Sequence, residues 1–223
     1  MRYLGVVLVW FALMGRAFAG PGTVAVLYFQ NQGNPELEPL KVGLAQMLTS
    51  DLIGAGGVKV VERTQLQAVL DELKLGHSSV ADKDTSAKVG KLLGAEYLVL
   101  GSYFSLAGTL RVDARLVKVE TGEVLHANGA NGGIAEFMDL ERRLAGSFRD
   151  KLASLVPGAL AALPALAAAA SESKPLEAAM ALSEGLIALD NHELPRARES
   201  FQKALTADSR MAEARQQLAA LDL

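Results

Sequence analysis

Between Pro157 and Pro175 the sequence turns abruptly to alanine, proline and serine, and this break governs what the rest of the chain can become. Prolines at 157, 164 and 175 interrupt any continuous helix there, although the alanines between them favour one. Read as a semi-rigid linker over 157–175, the stretch separates segments of different hydrophobic period. Residues 23–156 mix runs of β-formers with runs at three-to-four spacing, whereas 176–223 carry helical spacing alone. The pattern predicts an α/β (α+β) domain with a mixed sheet ending in an antiparallel meander, followed by a small all-α helical hairpin.

The N-terminus reads as a secretory signal over 1–19. Arg2 supplies the charge, Tyr3 to Met14 the apolar run, and Ala17-Phe18-Ala19 the small residues before a cleavage site. Gly15-Arg16 stops the run short of the roughly 20 apolar residues that a membrane helix needs. An uncleaved anchor is the alternative. The sequence contains no cysteine, so neither disulfides nor an N-terminal lipidated cysteine are available, and the expectation is no lipid anchor and no transmembrane segment after cleavage. Removing Arg2 and Arg16 leaves 20 basic residues against 25 acidic ones and moves the formal net charge from −3 to −5. That balance argues against nucleic acid as a partner.

Along the α/β segment, Thr23 to Phe29 is a nearly continuous apolar run and predicts a buried central strand. Asn31 to Pro35 is turn chemistry. From Glu36, Leu37, Leu40, Leu44, Leu48 and Leu52 line one helix face, with Gly54, Gly56 and Gly57 ending it. Val58 to Val61 is a short strand. Leu66, Val69, Leu70 and Leu73 mark a second helix capped by Thr64, and His77 to Thr85 is a loop. A third helix runs from Ser86 to Leu93 and closes at Gly94. Three further strands, 96–104, 109–119 and 123–128, turn at Ala107-Gly108 and Glu120-Thr121-Gly122. The alternation Leu110, Val112, Ala114, Leu116 slips parity at Val117, which predicts a bulge near Leu116. Phe137, Leu140, Leu144, Phe148, Leu152 and Leu155 then define a long amphipathic helix.

The last segment carries a tetratricopeptide-like pattern. With Gly185 at the eighth position, Ala197, Phe201 and Ala204 fall where two antiparallel helices interlock. The match is incomplete, since Glu184, Ala188 and Ser209 replace the usual Leu, Tyr and Pro. Asp190 to Glu193 is the reversal, and Met211 to Leu221 a covering helix. One repeat buries little surface alone, so it docks on the α/β domain, on a second copy or on a partner.

Chemistry-bearing clusters are scarce. The three histidines, His77, His126 and His192, fall on separate predicted elements without metal spacing. No G-x-S-x-G elbow is present. Asp82-Lys83-Asp84 lacks the glycine and distal Glu of a calcium loop and reads as a solvated loop. Asn128 to Gly133 leaves a strand for a helix, where backbone N–H groups can hold an anion, but the Lys-Ser/Thr of a P-loop is missing and a flexible turn is the preferred reading. Arg63, after Glu62, either clamps a carboxylate or fixes the neighbouring loop, the structural role being preferred. No catalytic, cofactor-binding or metal residue is assigned, and no cofactor and no enzyme activity are expected.

Four ordered blocks carry a resemblance. They are Val24 to Phe29; Val60-Val61-Glu62-Arg63 with Leu70 to Leu73 behind it; Gly90 to Gly101, including Gly94; and Ala114 to Val124, including Gly122. Over residues 23–155 the chain resembles the periplasmic α/β domain of the curli-secretion CsgG/HfaB family and its FlgO- and TolB-N-terminal-like relatives. The resemblance implies a non-enzymatic periplasmic assembly or scaffold protein. It would bind envelope or secretion proteins, form homo-oligomers, and sit in the periplasm or peripherally at the outer membrane. It makes Glu62, Arg63, Gly94, Gly101 and Gly122 structural motif positions. The strand region is too short to add membrane-barrel hairpins, so a pore is not implied. The rival expectation is a ligand-binding or sensor domain using Asn128 to Gly133 and Arg63.

Overall fold

The computed structural model describes residues 22–53, 58–80, 82–155 and 175–222. The predicted signal segment, Gly54, Gly56 and Gly57, and the linker up to residue 174 lie outside them. Among the described residues no helix is long and apolar enough to cross a membrane.

Six strands form one mixed sheet: β1 (Gly22–Val26), β2 (Gln30–Asn31), β3 (Val58–Val60), β4 (Tyr97–Leu106), β5 (Thr109–Lys118) and β6 (Val124–Gly133). The order is β3-β1-β4-β5-β6, with β2 also on β4. β1 runs parallel to β3 and β4, because helical crossovers separate them, and β4, β5 and β6 make an antiparallel meander. Val26 pairs with Val99 and Gln30 with Ser102, so the β1–β2 stretch carries one more residue than the strand it follows. The local kink sets the fully buried Phe29 ring against Gly101; a Cβ there would lie 2.7 Å from Phe29 Cζ. That contact explains why Gly101 lacks a side chain.

One face of the sheet carries the main core. α1 (Leu40–Ile53) lies over β1 and β3, and α4 (Phe137–Leu155) over β5 and β6. Leu40, Leu44, Leu48 and Leu52 of α1 are fully buried, as are Phe137, Leu140, Leu144, Phe148 and Leu152 of α4. Burying each such side chain contributes about 1.5–3 kcal/mol. The Tyr103 hydroxyl donates to the Leu37 carbonyl at 2.7 Å. His126 meets Ser147 Oγ at 2.7 Å and sits edge-on to Phe148.

The second face is covered only in part. α3 (Lys83–Leu92) presses Val89 and Gly90 onto β4, where a Cβ on Gly90 would be 2.8 Å from Val119 Cγ2. α2 (Arg63–Glu72) lies beside α3. This cover explains the parity slip in β5: Val117 pairs with Leu98 on the face that α3 closes, so both faces are apolar there. A register shift does fall between Leu116 and Val117, and the extra residue is Leu125 on β6.

Three local readings are corrected. Thr64 does not cap α2; Glu62 occupies that position without a side-chain bond, and Thr64 lies in the first turn. Asp82 to Asp84 is not a solvated loop but the start of α3, with Asp82 Oδ1 accepting the Thr85 N–H at 2.8 Å. Asn128 to Gly133 is no turn: β6 continues through it, paired from Ala114 to Thr109. Strand pairing recruits these glycines because β5 offers a full-length partner.

The C-terminal helices are α5 (Pro175–Asp190), α6 (Leu194–Ala207) and α7 (Ala212–Ala220). α5 packs lengthwise on α1, on the side away from the sheet. α1 is therefore buried on two sides, and Val42, Gly43, Ala45 and Met47 join its leucines in the core.

Candidate functional site

The junction between α1 and α5 concentrates the polar chemistry of the molecule. α1 begins at Leu40, so the N–H of Gly43 belongs to its first turn and has no full intrahelical partner. Ser183 Oγ accepts it at 2.5 Å. A Cβ on Gly43 would overlap that hydroxyl and stand 2.6 Å from the Ala179 carbonyl. Small residues on both helices let the backbones approach, and the hydroxyl of one satisfies the free donor of the other.

At the far end of α5, Asp190 receives Arg63 Nη1 at 2.6 Å and His77 Nε2 at 2.9 Å on the same oxygen, Oδ2. The Arg63 and Asp190 side chains are 5% and 13% exposed, so this pair is largely withdrawn from water. Tyr28 stacks on the His77 ring with centroids 6.1 Å apart, and its hydroxyl donates to Gln67 Oε1 at 2.7 Å. Burial pushes the Asp190 carboxyl upward, but the hydrogen bonds and positive charge of His77 and Arg63 outweigh it and hold the group below its ordinary range. Burial raises Tyr28 to about 12, so it stays a neutral donor. The carboxylate that Arg63 clamps belongs to the chain itself.

Near the other end of α1 lies a carboxyl cluster. Glu141 of α4 is 3% exposed, and its Oε1 has no hydrogen-bond partner. Burial drives its carboxyl well above the usual range, and the charge of Asp51 on α1 adds to the shift. Burial also raises Asp51, against its hydrogen bond to Glu141 and the charge of Arg149. Glu213, in the first turn of α7, is raised by burial first. Arg149 Nη2 donates to the Asp51 carbonyl at 3.0 Å. Among the described residues, no group of three His, Asp or Glu is placed to hold a metal ion.

The residues singled out from the sequence fall into three places. Gly185, Ala197, Phe201 and Ala204 meet between α5 and α6: the Phe201 ring lies on Gly185, leaving 3.0 Å between its Cζ and a Cβ built there. Ala197, Phe201 and Ala204 are fully buried, so they hold the helix pair together rather than face a ligand. Gly94 and Gly122 take positive φ, 62° and 69°, after α3 and in the β5–β6 turn. Gly122 also seats the Lys83 stem, whose Cε would be 2.5 Å from a Cβ. Glu62 is exposed, while Arg63 donates to Asp190 and does not line the groove that Asn128 and Gly129 border. The pairing suggested for a ligand cleft is therefore not brought together.

Sequence reasoning missed Gly43, Ser183, His77 and Asp190 as one junction. A signal existed: α1 carries Val42, Gly43, Ala45 and Met47 off its leucine face, and α5 carries small residues around its circumference. Both are marks of a helix with two partners.

Comparison with known proteins bears on the α/β part. Residues 16–107 match the family model described as "Curli production assembly/transport component CsgG", a stretch that holds β1 to β4 and α1 to α3. No curated protein matches. Among solved structures, the LpoB C-terminal domain from Salmonella enterica aligns at 19% identity and TM-score 0.45, over 51% of this chain and 84% of that one. Lipoprotein GNA1162 from Neisseria meningitidis aligns at 18% identity and TM-score 0.40, over 51% and 81%. A PelC dodecamer chain from Paraburkholderia phytofirmans aligns at 15% and 0.39, over 64% and 93%. Residues 16–107 are thus CsgG-like, a stretch that holds the first three of the ordered sequence blocks.

Proposed function

We propose that this is an exported, envelope-associated protein-interaction module without catalytic function. Its CsgG-like body carries a tetratricopeptide-like helix pair as a fixed outer layer. The observation that carries this reading is the α1–α5 junction. Arg63–Asp190 and Gly43–Ser183 join the helical layer to the body at two points. α5 spends one side on α1, which leaves the outer surfaces of α6 and α7 as what the helices offer a partner. Arg196, Glu199, Gln202 and Lys203 are exposed on α6, and Arg215 and Gln216 on α7. The match to a curli assembly/transport family supports a place in the cell envelope, and the sequence pattern of residues 1–19 supports export.

Photo-cross-linking in intact cells tests this. A cross-linking residue at Gln202 or Gln216 should capture an envelope protein, and the same residue at Leu106, the exposed last residue of β4, should not. Capture from Leu106 alone, or from none of the three, removes the reading. Light scattering on the mature chain measures the homo-oligomer that the family resemblance implies.

A further inference from the structure

The open face of the meander and the edge of β6 together form a second surface. A groove of about 550 Å³ runs over β4, β5 and β6, lined by Gln30, Ser79, Ser102, Arg115 and Asn128 among others. It meets a second, of about 330 Å³, at Leu100 and Arg115, where Lys83, Lys91 and Lys118 contribute. Four cations thus line the second groove against two acids, Asp84 and Glu120. None of the four is in an ion pair among the described residues, whereas Arg111 is spent on Asp113 at 2.7 Å. The stem of Lys83 is seated on Gly122, which holds one ammonium at the groove wall.

β6 borders the first groove and pairs with β5 alone among the described strands. Its outward backbone groups are met by side chains instead of a strand. Gly129 N–H donates to Asn128 Oδ1 at 2.9 Å, Gly133 N–H to Glu136 Oε2 at 2.9 Å, and Arg143 Nη2 donates to the Asn131 carbonyl at 3.4 Å. All three bonds are made by exposed side chains, which an added strand can displace. Ala127, opposite Arg115, is short and leaves Arg115 within reach of this edge, whereas the Arg111–Asp113 pair lies over Gly129. Edge pairing supplies affinity from the backbone, and alternate side chains of the added strand reach the sheet face.

We propose that this edge and its cationic floor bind an extended acidic peptide segment of a partner protein, added to β6 as a further strand with its carboxylates over Arg115 and the lysines. The backbone edge favours a peptide over an acidic glycan, which has no amide ladder to offer. The proposal rests on the reading of the chain as an interaction module and names a face separate from α6 and α7.

The test is fluorescence anisotropy of the full mature chain with a labelled oligoglutamate. Binding should appear at low salt and weaken with added salt. Arg115→Glu, a change at an exposed position, should weaken it at least about tenfold, as should N-methylation of the peptide backbone, which keeps the charge and removes the strand donors. Oligoglutamine should bind far less. Binding that Arg115→Glu leaves unchanged overturns the site. Equal binding of the N-methylated peptide, or of polygalacturonate, overturns strand addition. Cross-links from Gln202 and Gln216 report separately on the wider reading. Their loss with oligoglutamate binding retained removes that reading and supports the groove, and the reverse removes the groove alone.

Discussion

Arg63 donates to Asp190 at 2.6 Å across 127 positions of sequence, linking the start of α2 to the last residue of α5. His77 approaches the same oxygen, so one carboxylate gathers two donors from the α/β body. Removing one partner of a largely buried pair leaves the other charge uncompensated, at a cost of about 3–5 kcal/mol. Arg63→Ala and Asp190→Ala should each destabilise the protein toward the lower end of that range in urea unfolding. Arg63→Ala should also speed hydrogen exchange in α5 more than in β4. Equal acceleration in both elements would show that the pair does not hold the helical layer.

The same pair gives the junction a pH signature. Asp190 has a folded value below its unfolded one, so its stabilisation is present above the ordinary carboxylate value of roughly 4 and is lost as pH falls through the lower folded value. Asp190→Asn should lower stability at neutral pH and flatten the acid limb of the stability profile. An unchanged acid limb would refute the assignment.

Glu141 has the opposite sign. Its folded value is raised by burial and by Asp51, so its contribution is fully present below the unfolded carboxylate value and is lost as pH rises toward the folded value. Glu141→Gln removes the charge, keeps the shape and can donate to Asp51. It should stabilise the protein at pH 7–8 by about 1–2 kcal/mol and reduce the decline with rising pH, leaving the share that Asp51 and Glu213 contribute. Thermal melts across pH measure both; a Gln variant less stable at neutral pH would contradict this.

Gly43 and Ser183 define how closely α1 and α5 approach. Gly43→Ala inserts a methyl into the hydroxyl and carbonyl of α5 and should cost about 1–3 kcal/mol. Ser183→Ala leaves the Gly43 N–H buried without an acceptor, at about 1–3 kcal/mol. In a double-mutant cycle the two should couple by at least about 0.5 kcal/mol. Strict additivity would place the helices out of contact.

Gly101→Ala tests the strand kink. The new methyl overlaps the Phe29 ring and should cost about 1–3 kcal/mol, with Phe29→Leu in the same chain recovering part of the loss. No recovery would mean that the strain lies elsewhere.

Much of this was legible in the sequence because it is local. Period-two and three-to-four spacings located β1, β3, β4, β5 and the first half of β6, with α1, α4 and the C-terminal helix pair, but not β2, and the Gly185–Phe201 interlock followed from spacing within one hairpin. Leu116 and Val117 flank the register shift that the parity slip marked, but the extra residue is Leu125 on β6, and the slip itself follows from α3 covering the second face of β5. Chemistry at the junction was not local. Arg63 read as a clamp without a carboxylate, because Asp190 lies beyond the linker, and no spacing rule links residues brought together by two packed helices. Asn128 to Gly133 looked like a turn for the same reason: its strand character depends on the pairing that β5 offers. By itself, then, the sequence determined the elements, their order and the glycines their turns and contacts require. Tertiary packing alone decided that α5 lies on α1, that Arg63 is spent on Asp190, and that the meander keeps one cationic face open. Each of these depends on which surfaces remain once the apolar faces have met, and that is a property of the assembled layers.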